Sequence, residues 1–139
     1  MLELLKGRVR CLEPGELEVL TAGGVGFLVR VVPGGQEEAL ADGRDDQELR
    51  VHEIVTDSSR ALYGFEGFER RSYFRELLKV KGVGPKHALG ILGTFTRRGL
   101  IELSAEGEVK RLSENVRGVG PRLAVEVVRA FAKKLVEFD

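Results

Sequence analysis

The sequence predicts an α+β chain in which a small five-stranded β-barrel is followed by an all-helical domain. Three observations carry that reading. Segments up to Phe65 are β-rich and alternate, the apolar spacing becomes helical after it, and one turn-helix unit occurs twice in the second half. The predicted domains are therefore 1–65 and 66–139. The same cut separates the charge: residues 1–65 hold 7 Lys+Arg and 12 Asp+Glu, residues 66–139 hold 15 and 10, and the formal total is zero. A neutral chain thus contains a basic half, and it is the local field that decides binding to a polyanion.

In the first half, strands are predicted over 2–12, 16–21, 26–32, 48–56 and 61–65. Pro14-Gly15 and Ala22-Gly23-Gly24 separate the first three as hairpin turns, and Pro33-Gly34-Gly35 opens a polar link to the fourth. Five short antiparallel strands with glycine-rich corners fit an OB-type barrel, whose closure removes exposed edges. The acidic link 36–48 is expected to be a solvated loop or frayed helical turn, since Gly43 and Asp45-Asp46 disfavour regular structure. Cys11, the only cysteine, excludes an intramolecular disulfide and a cysteine-based metal cluster. Its place in an apolar strand pattern predicts a small core residue.

From Glu66, a helix is predicted with Phe68, Tyr73, Phe74, Leu77 and Leu78 on one face and Arg70, Arg71 and Arg75 on the others. Two short helices are predicted over 96–103 and 104–112, with Thr96 and Ser104 as N-caps and Glu106 in the second helix's first turn. The last helix is predicted over 121–135. Its apolar face is Leu123, Ala124, Val127, Val128, Phe131 and Leu135, and Lys133 and Lys134 lie where the dipole favours cations.

The duplicated unit is Val80-Lys81-Gly82-Val83-Gly84-Pro85-Lys86-His87-Ala88-Leu89, which returns 36 residues later as Val116-Arg117-Gly118-Val119-Gly120-Pro121-Arg122-Leu123-Ala124-Val125. Glycine permits the turn, proline suits the first helical position, and the aliphatic residues that follow face a core. Main-chain amides at a helix N-terminus attract an anion. Lys81 and Lys86 bracket the first turn, and Arg117 and Arg122 the second, so each unit joins amide donors to cations, as sequence-independent phosphate binding requires. A single such turn is as readily a tight connection between packed helices. Two copies with matching charges favour a phosphate grip at Lys81, Gly82, Val83, Gly84, Lys86, Arg117, Gly118, Val119, Gly120 and Arg122.

Signals for catalysis are poor. There is no phosphate-loop Gly-Lys-Ser/Thr pattern and no metal-ligand spacing, and His52 and His87 lie in separate modules. No catalytic residue, metal or cofactor is expected. Lys86 as a lyase nucleophile would need a depressed pKa and a nearby carboxylate, so a phosphate contact is the better reading. No apolar run approaches the about 18 residues of a membrane span, and the N-terminus lacks a secretory layout, so a cytoplasmic chain with no membrane partner is expected.

The barrel ending in Leu62-Tyr63-Gly64-Phe65, the helix residues Phe74-Arg75-Glu76-Leu77-Leu78 and the paired Gly-Val-Gly units together resemble the RuvA family. Gly7-Arg8-Val9 and Gly23-Gly24-Val25-Gly26-Phe27 extend the likeness over nearly the whole chain. The resemblance implies two helix-hairpin-helix motifs and a non-catalytic tetramer that binds four-way (Holliday) junction DNA and supports branch migration with a RuvB motor. It also implies an acidic pair at the junction centre, on the loop before Leu62. Here that loop reads Val55-Thr56-Asp57-Ser58-Ser59-Arg60, so Asp57 matches one acidic position and Ser58 stands at the other. The second repeat departs too, with Pro121-Arg122-Leu123 and Val125-Glu126 replacing the family's usual residues, and the first turn, with Lys86, is expected to grip more strongly. RuvA proteins continue through a linker into a third helical domain that binds RuvB, whereas this sequence stops at Asp139, so recruitment of the motor is not read from these residues. The second reading is a helix-hairpin-helix repair enzyme or a general duplex-binding module.

Overall fold

In the computed structural model, which describes residues 1–138, strand β1 (Leu4–Glu13) turns Leu5 and Val9 inward and leaves Lys6, Arg8 and Arg10 outside. The same alternation in β2 (Glu16–Leu20), β3 (Gly26–Arg30) and β4 (Gln47–Val55) adds Leu17, Val19, Val29, Leu49 and Val51 to one buried cluster, with Val31 just past β3. With β5 (Arg60–Phe65), these strands close a barrel in the order β1-β2-β3-β5-β4. β1 is shared: Leu4–Gly7 pairs with β4 and the remainder with β2. Gly7 sits at the change of partner, where a β-carbon would overlap the carbonyl of Leu20. Antiparallel strands were expected throughout, but β3 and β5 run parallel at Val29–Leu62 and Arg30–Tyr63. Closure demands it, because an odd number of strands cannot alternate direction around a ring. Gly64 lets β5 lie against Val29, whose Cγ1 a β-carbon at 64 would strike.

Cys11 is exposed, contrary to the core position expected of it. It keeps the inward phase of Leu5 and Val9, but β4 pairs only with Leu4–Gly7, so at Cys11 the strand has β2 alone beside it, and the register with β2 shifts between Cys11 and Glu13.

The acidic link forms the helical turn that was one of its two expected states, but it is not fully solvated. It contains a 3₁₀ helix, Gln36–Leu40, in which Glu37 is fully buried rather than solvated. The Glu37 carboxylate accepts hydrogen bonds from Arg70 Nε at 2.6 Å, Arg70 Nη2 at 2.9 Å and the Glu66 amide at 3.0 Å. Its neighbour Glu38 accepts from the amides of Gly15 and Gly34 at 2.8 and 2.9 Å. Two adjacent acids thus fasten the link in place.

Helix α1 (Phe68–Leu78) begins in the first of two units, Met1–Ser72, and continues into the second, which starts at Tyr73. The division falls later than the cut after Phe65 because the first turns of α1 belong with the barrel. Arg71, expected on an outer face, is buried there, and its Nη1 donates to the Glu3 carboxylate at 2.7 Å and to the Glu3 carbonyl at 3.1 Å. Phe68, expected inside, is exposed beneath the Arg50 guanidinium, 3.9 Å from the ring centroid.

The second unit packs α2 (Pro85–Thr94), α3 (Arg97–Ala105), α4 (Val109–Asn115) and α5 (Pro121–Ala132) around Phe74, Leu77, Ile91, Leu100, Ile101, Leu112, Val127 and Phe131. Thr96 caps α3 as predicted, accepting from the Gly99 amide at 3.0 Å. Ser104 is not a cap. It is buried inside α3, which runs to Ala105, and Gly107 at φ +70° makes the break before α4. α5 stops at Ala132 and a 3₁₀ turn, Lys133–Phe138, follows, leaving Leu135 exposed where a continuing helix would have buried it. Glu76 on α1 binds Arg97 at 2.7 Å and Lys134 at 3.0 Å. Burial pushes its pKa up, but the hydrogen bonds from Arg97 and Lys134 outweigh this and hold it below the usual value. Among the described residues no helix is long and apolar enough to cross a membrane, and no group of three or more His, Cys, Asp or Glu could hold a metal ion.

Candidate nucleic-acid interface

Each repeat folds as a helix N-terminus entered through a tight turn. Val83 N donates to Val80 O at 3.0 Å, and Val119 N donates to Val116 O at 3.2 Å. Gly82 at φ +89° and Gly118 at φ +85° occupy the left-handed region that favours glycine, and Val83 and Val119 point into the core. Gly84 and Gly120 are the N-caps, followed by Pro85 and Pro121 at the first helical position, where a missing N–H costs nothing.

Gly84 and Gly120 differ in kind from Gly82 and Gly118. Both cap residues have extended backbone, φ −93° and −79°, which any residue adopts. A β-carbon at Gly120 would meet nothing within 4 Å, and one at Gly84 only the His87 imidazole at 3.8 Å. Neither backbone strain nor crowding explains glycine at these two positions. What it does is keep the main chain bare towards solvent at the positive end of a helix.

The cations around the turns are unoccupied. Lys81, Lys86, Arg117 and Arg122 are exposed and form no hydrogen bond or ion pair among the described residues. Elsewhere in this unit Arg97, Arg98, Arg111, Arg129 and Lys134 each pair with a glutamate. Four cations without a partner thus stand beside the amides of Gly82, Gly118 and Gly120, which have no protein acceptor among the described residues.

The two turns lie side by side. A β-carbon on Gly82 would be 3.2 Å from Leu123 Cδ1, and one on Gly118 would be 3.9 Å from His87 Cδ2. Leu123 and His87 are the third residues of α5 and α2, so the third residue of each helix packs on the left-handed glycine of the other turn, as an approximate twofold relation requires. Their chemistry breaks that symmetry: His87 Nδ1 accepts from the Gly84 amide at 3.1 Å, whereas Leu123 offers Gly120 nothing. The resemblance ranks the first turn above the second; this difference leaves the second turn, and not the first, its cap amide. A capping acceptor three residues after an N-cap was the available signal.

Asp57 belongs to the first unit and occupies the tip of the β4–β5 hairpin. Thr56 and Ser59 close the turn beneath it, with Thr56 N donating to Ser59 O at 2.9 Å and Ser59 N to Thr56 Oγ1 at 3.1 Å. Asp57 and Ser58 are left exposed at the apex, and Asp57 has no partner among the described residues.

The family described as SAM-like helix-hairpin-helix tandem matches residues 74–133, which include both turns. Over most of its length the chain is similar to proteins named Holliday junction branch migration complex subunit RuvA. It is 37% identical to that of Pediococcus pentosaceus over 128 residues, covering 92% of this chain and 63% of that protein. Against the Thermus thermophilus protein, identity is 38%, covering 91% and 64%. Against that of Tropheryma whipplei it is 36%, covering 97% and 66%. The chain thus spans a little under two thirds of the length of these relatives.

Proposed function

Because the chain belongs to the RuvA family, we propose that it binds four-way junction DNA by shape, as one protomer of a homotetramer, without catalysing a reaction itself. The observation that carries this is the pair of bare, cation-flanked turns, in which Gly84 and Gly120 are glycine for no reason internal to the fold. Two such turns, side by side, suit two phosphates across the minor-groove side of one duplex arm. They hold backbone and not base edges, so the grip is indifferent to sequence. Four copies related by symmetry would hold four arms, and selectivity would then come from the shape of the crossover. The named role of the relatives, a subunit of a branch-migration complex, makes a RuvB motor the partner of the full assembly.

Asp57 fits the junction centre. From the hairpin tips of four protomers, four carboxylates would gather near the axis and repel phosphates, helping to hold the exchanging strands apart. With Ser58 at the apex beside it, each protomer supplies a single charge. Asp57→Asn is expected to leave junction affinity unchanged or raise it by up to about fivefold, on the order of 1 kcal/mol of relieved repulsion. Titration of a labelled junction at fixed salt checks this, and a large loss of affinity would contradict the repulsive role.

The reading is tested by comparing a four-way junction, a linear duplex and an abasic duplex at one salt concentration, since affinities at different salt cannot be compared. Tight, tetrameric binding to the junction alone is expected, with all strands intact afterwards. Equal affinity for the three DNAs would leave only a general duplex-binding module, and strand cleavage would make the chain a repair enzyme.

A further inference from the structure

The difference between the turns has a chemical consequence at His87. The Gly84 N–H is the first turn's counterpart of the exposed Gly120 amide, and it is engaged by His87 Nδ1 at 3.1 Å. That bond requires Nδ1 to be an acceptor, so the ring must be neutral while it lasts. Protonated, the imidazole has N–H donors at both nitrogens and turns a hydrogen against the amide it had accepted from. The bond then breaks, and the Gly84 N–H and the imidazolium become two donors at the mouth of the turn.

We propose that His87 is a proton-linked phosphate ligand: it caps the first turn in the free protein, and takes up a proton and joins the grip when DNA phosphate arrives. The proposal rests on the reading of these turns as phosphate sites, and it adds the residue that makes the site respond to pH. Half-buried and packed on Gly118 of the second turn, the ring lies between the two turns. The charged groups on the surrounding elements set the direction. Lys86 precedes His87 on α2, Lys81 stands on its own turn, Arg117 flanks the glycine it packs against and Arg122 lies on α5. The one carboxylate lining the concavity at the second turn is Glu114 of α4, and it is exposed. Cations dominate, so the field around the ring is positive in the free protein. A bound phosphate reverses that field, so binding draws a proton from solvent onto Nδ1. By linkage, affinity must then rise as pH falls through the range where histidine titrates.

Two variants separate this role from a merely structural one. Asparagine at 87 retains an acceptor for the Gly84 amide but cannot be charged. Leucine, the residue found at the matching place in the second turn, removes the acceptor and leaves the amide permanently free. Binding of a fluorescent four-way junction and of a linear duplex of equal arm length is measured from pH 7.5 to pH 5.5 at constant salt for the three proteins. Calorimetry at pH 6.5 in two buffers of different ionisation enthalpy counts the protons. The unsubstituted protein should gain affinity on acidification by on the order of fivefold more than His87→Asn, within the ceiling of about tenfold per pH unit for one proton. Its binding enthalpy should depend on the buffer. His87→Leu should show neither effect. Superposable pH curves for the unsubstituted protein and His87→Asn, with no buffer dependence, would overturn the proposal and leave the junction reading intact. Equal affinity for junction and duplex would overturn the junction reading, while proton uptake seen on both DNAs would still support the role of His87.

Discussion

Replacing Lys81, Lys86, Arg117 and Arg122 together by alanine is expected to reduce junction affinity at least about a thousandfold at moderate salt while leaving the fold unchanged. The second half follows from the structure directly. All four side chains are exposed and none has a hydrogen bond or ion pair among the described residues, so their removal breaks nothing within the protein. The first half follows from the contacts they would make. At about 1 kcal/mol for each exposed cation on a phosphate, four contacts amount to about 4 kcal/mol, or close to three decades in Kd, for each protomer on the DNA, so that loss is the least expected of the assembly. The more specific readout is salt. Each phosphate neutralised contributes about −0.9 to the slope of log K against log salt, so the slope should flatten by up to about 3.6 for each protomer on the DNA. The paired cations supply the control. Arg98 and Arg129, already held by Glu102 and Glu126, should change that slope little when replaced. An unaltered slope in the fourfold variant would mean that the turns do not hold phosphate. The loss should be the same whatever the base sequence of the arms, because these side chains meet backbone.

The dividing line between what could be read beforehand and what could not follows the range of the interaction. The barrel strands and the two turn-helix units were legible because local signals agree there: alternation, glycine at a positive φ, and proline at the first helical position. The left-handed Gly82 and Gly118 stand where the repeat placed them. Residues whose environment is made by distant parts of the chain were misjudged. Cys11 has the phase of a core residue, but only the strand pairing shows that β4 no longer lies beside β1 there. Glu37 sits in a stretch whose composition reads as solvated, and its partner Arg70 lies 33 residues away. Ser104 has the chemistry of a cap, yet packing of α3 buries it in mid-helix. At the interface, the residue types were legible and the inequality was not. That Gly84 N–H is engaged and Gly120 N–H is free depends on whether the third helical residue can accept a hydrogen bond, and it becomes visible once the two turns are superposed in space.

Glu37→Ala is expected to destabilise the barrel unit by about 3 to 4 kcal/mol, as measured by chemical denaturation. Glu37 is fully buried and receives two hydrogen bonds from Arg70 and one from the Glu66 amide, so alanine removes every acceptor at once. The Arg70 side chain is 24% exposed, and it can recover some hydration when its partner goes. The Glu66 amide, at the exit from β5, would be left without its carboxylate. That asymmetry sets an order among the variants. Arg70→Ala leaves an unpaired carboxylate in a site without solvent and should cost as much as Glu37→Ala or more, because a buried charge without a partner is the costliest remnant. Glu37→Gln keeps the volume and one acceptor oxygen, removes the charge, and should cost about half as much. The double variant Glu37→Ala/Arg70→Ala should be more stable than the sum of the single losses predicts, since neither residue is then stranded. Strict additivity would show that the pair is not coupled, and a loss below about 1 kcal/mol in Glu37→Ala would place it with ordinary surface ion pairs. The location gives the pair its consequence. The 3₁₀ segment carrying Glu37 also carries Glu38, whose carboxylate fastens the amides of Gly15 and Gly34. Releasing Glu37 therefore loosens the link between β3 and β4 together with the first turn of α1.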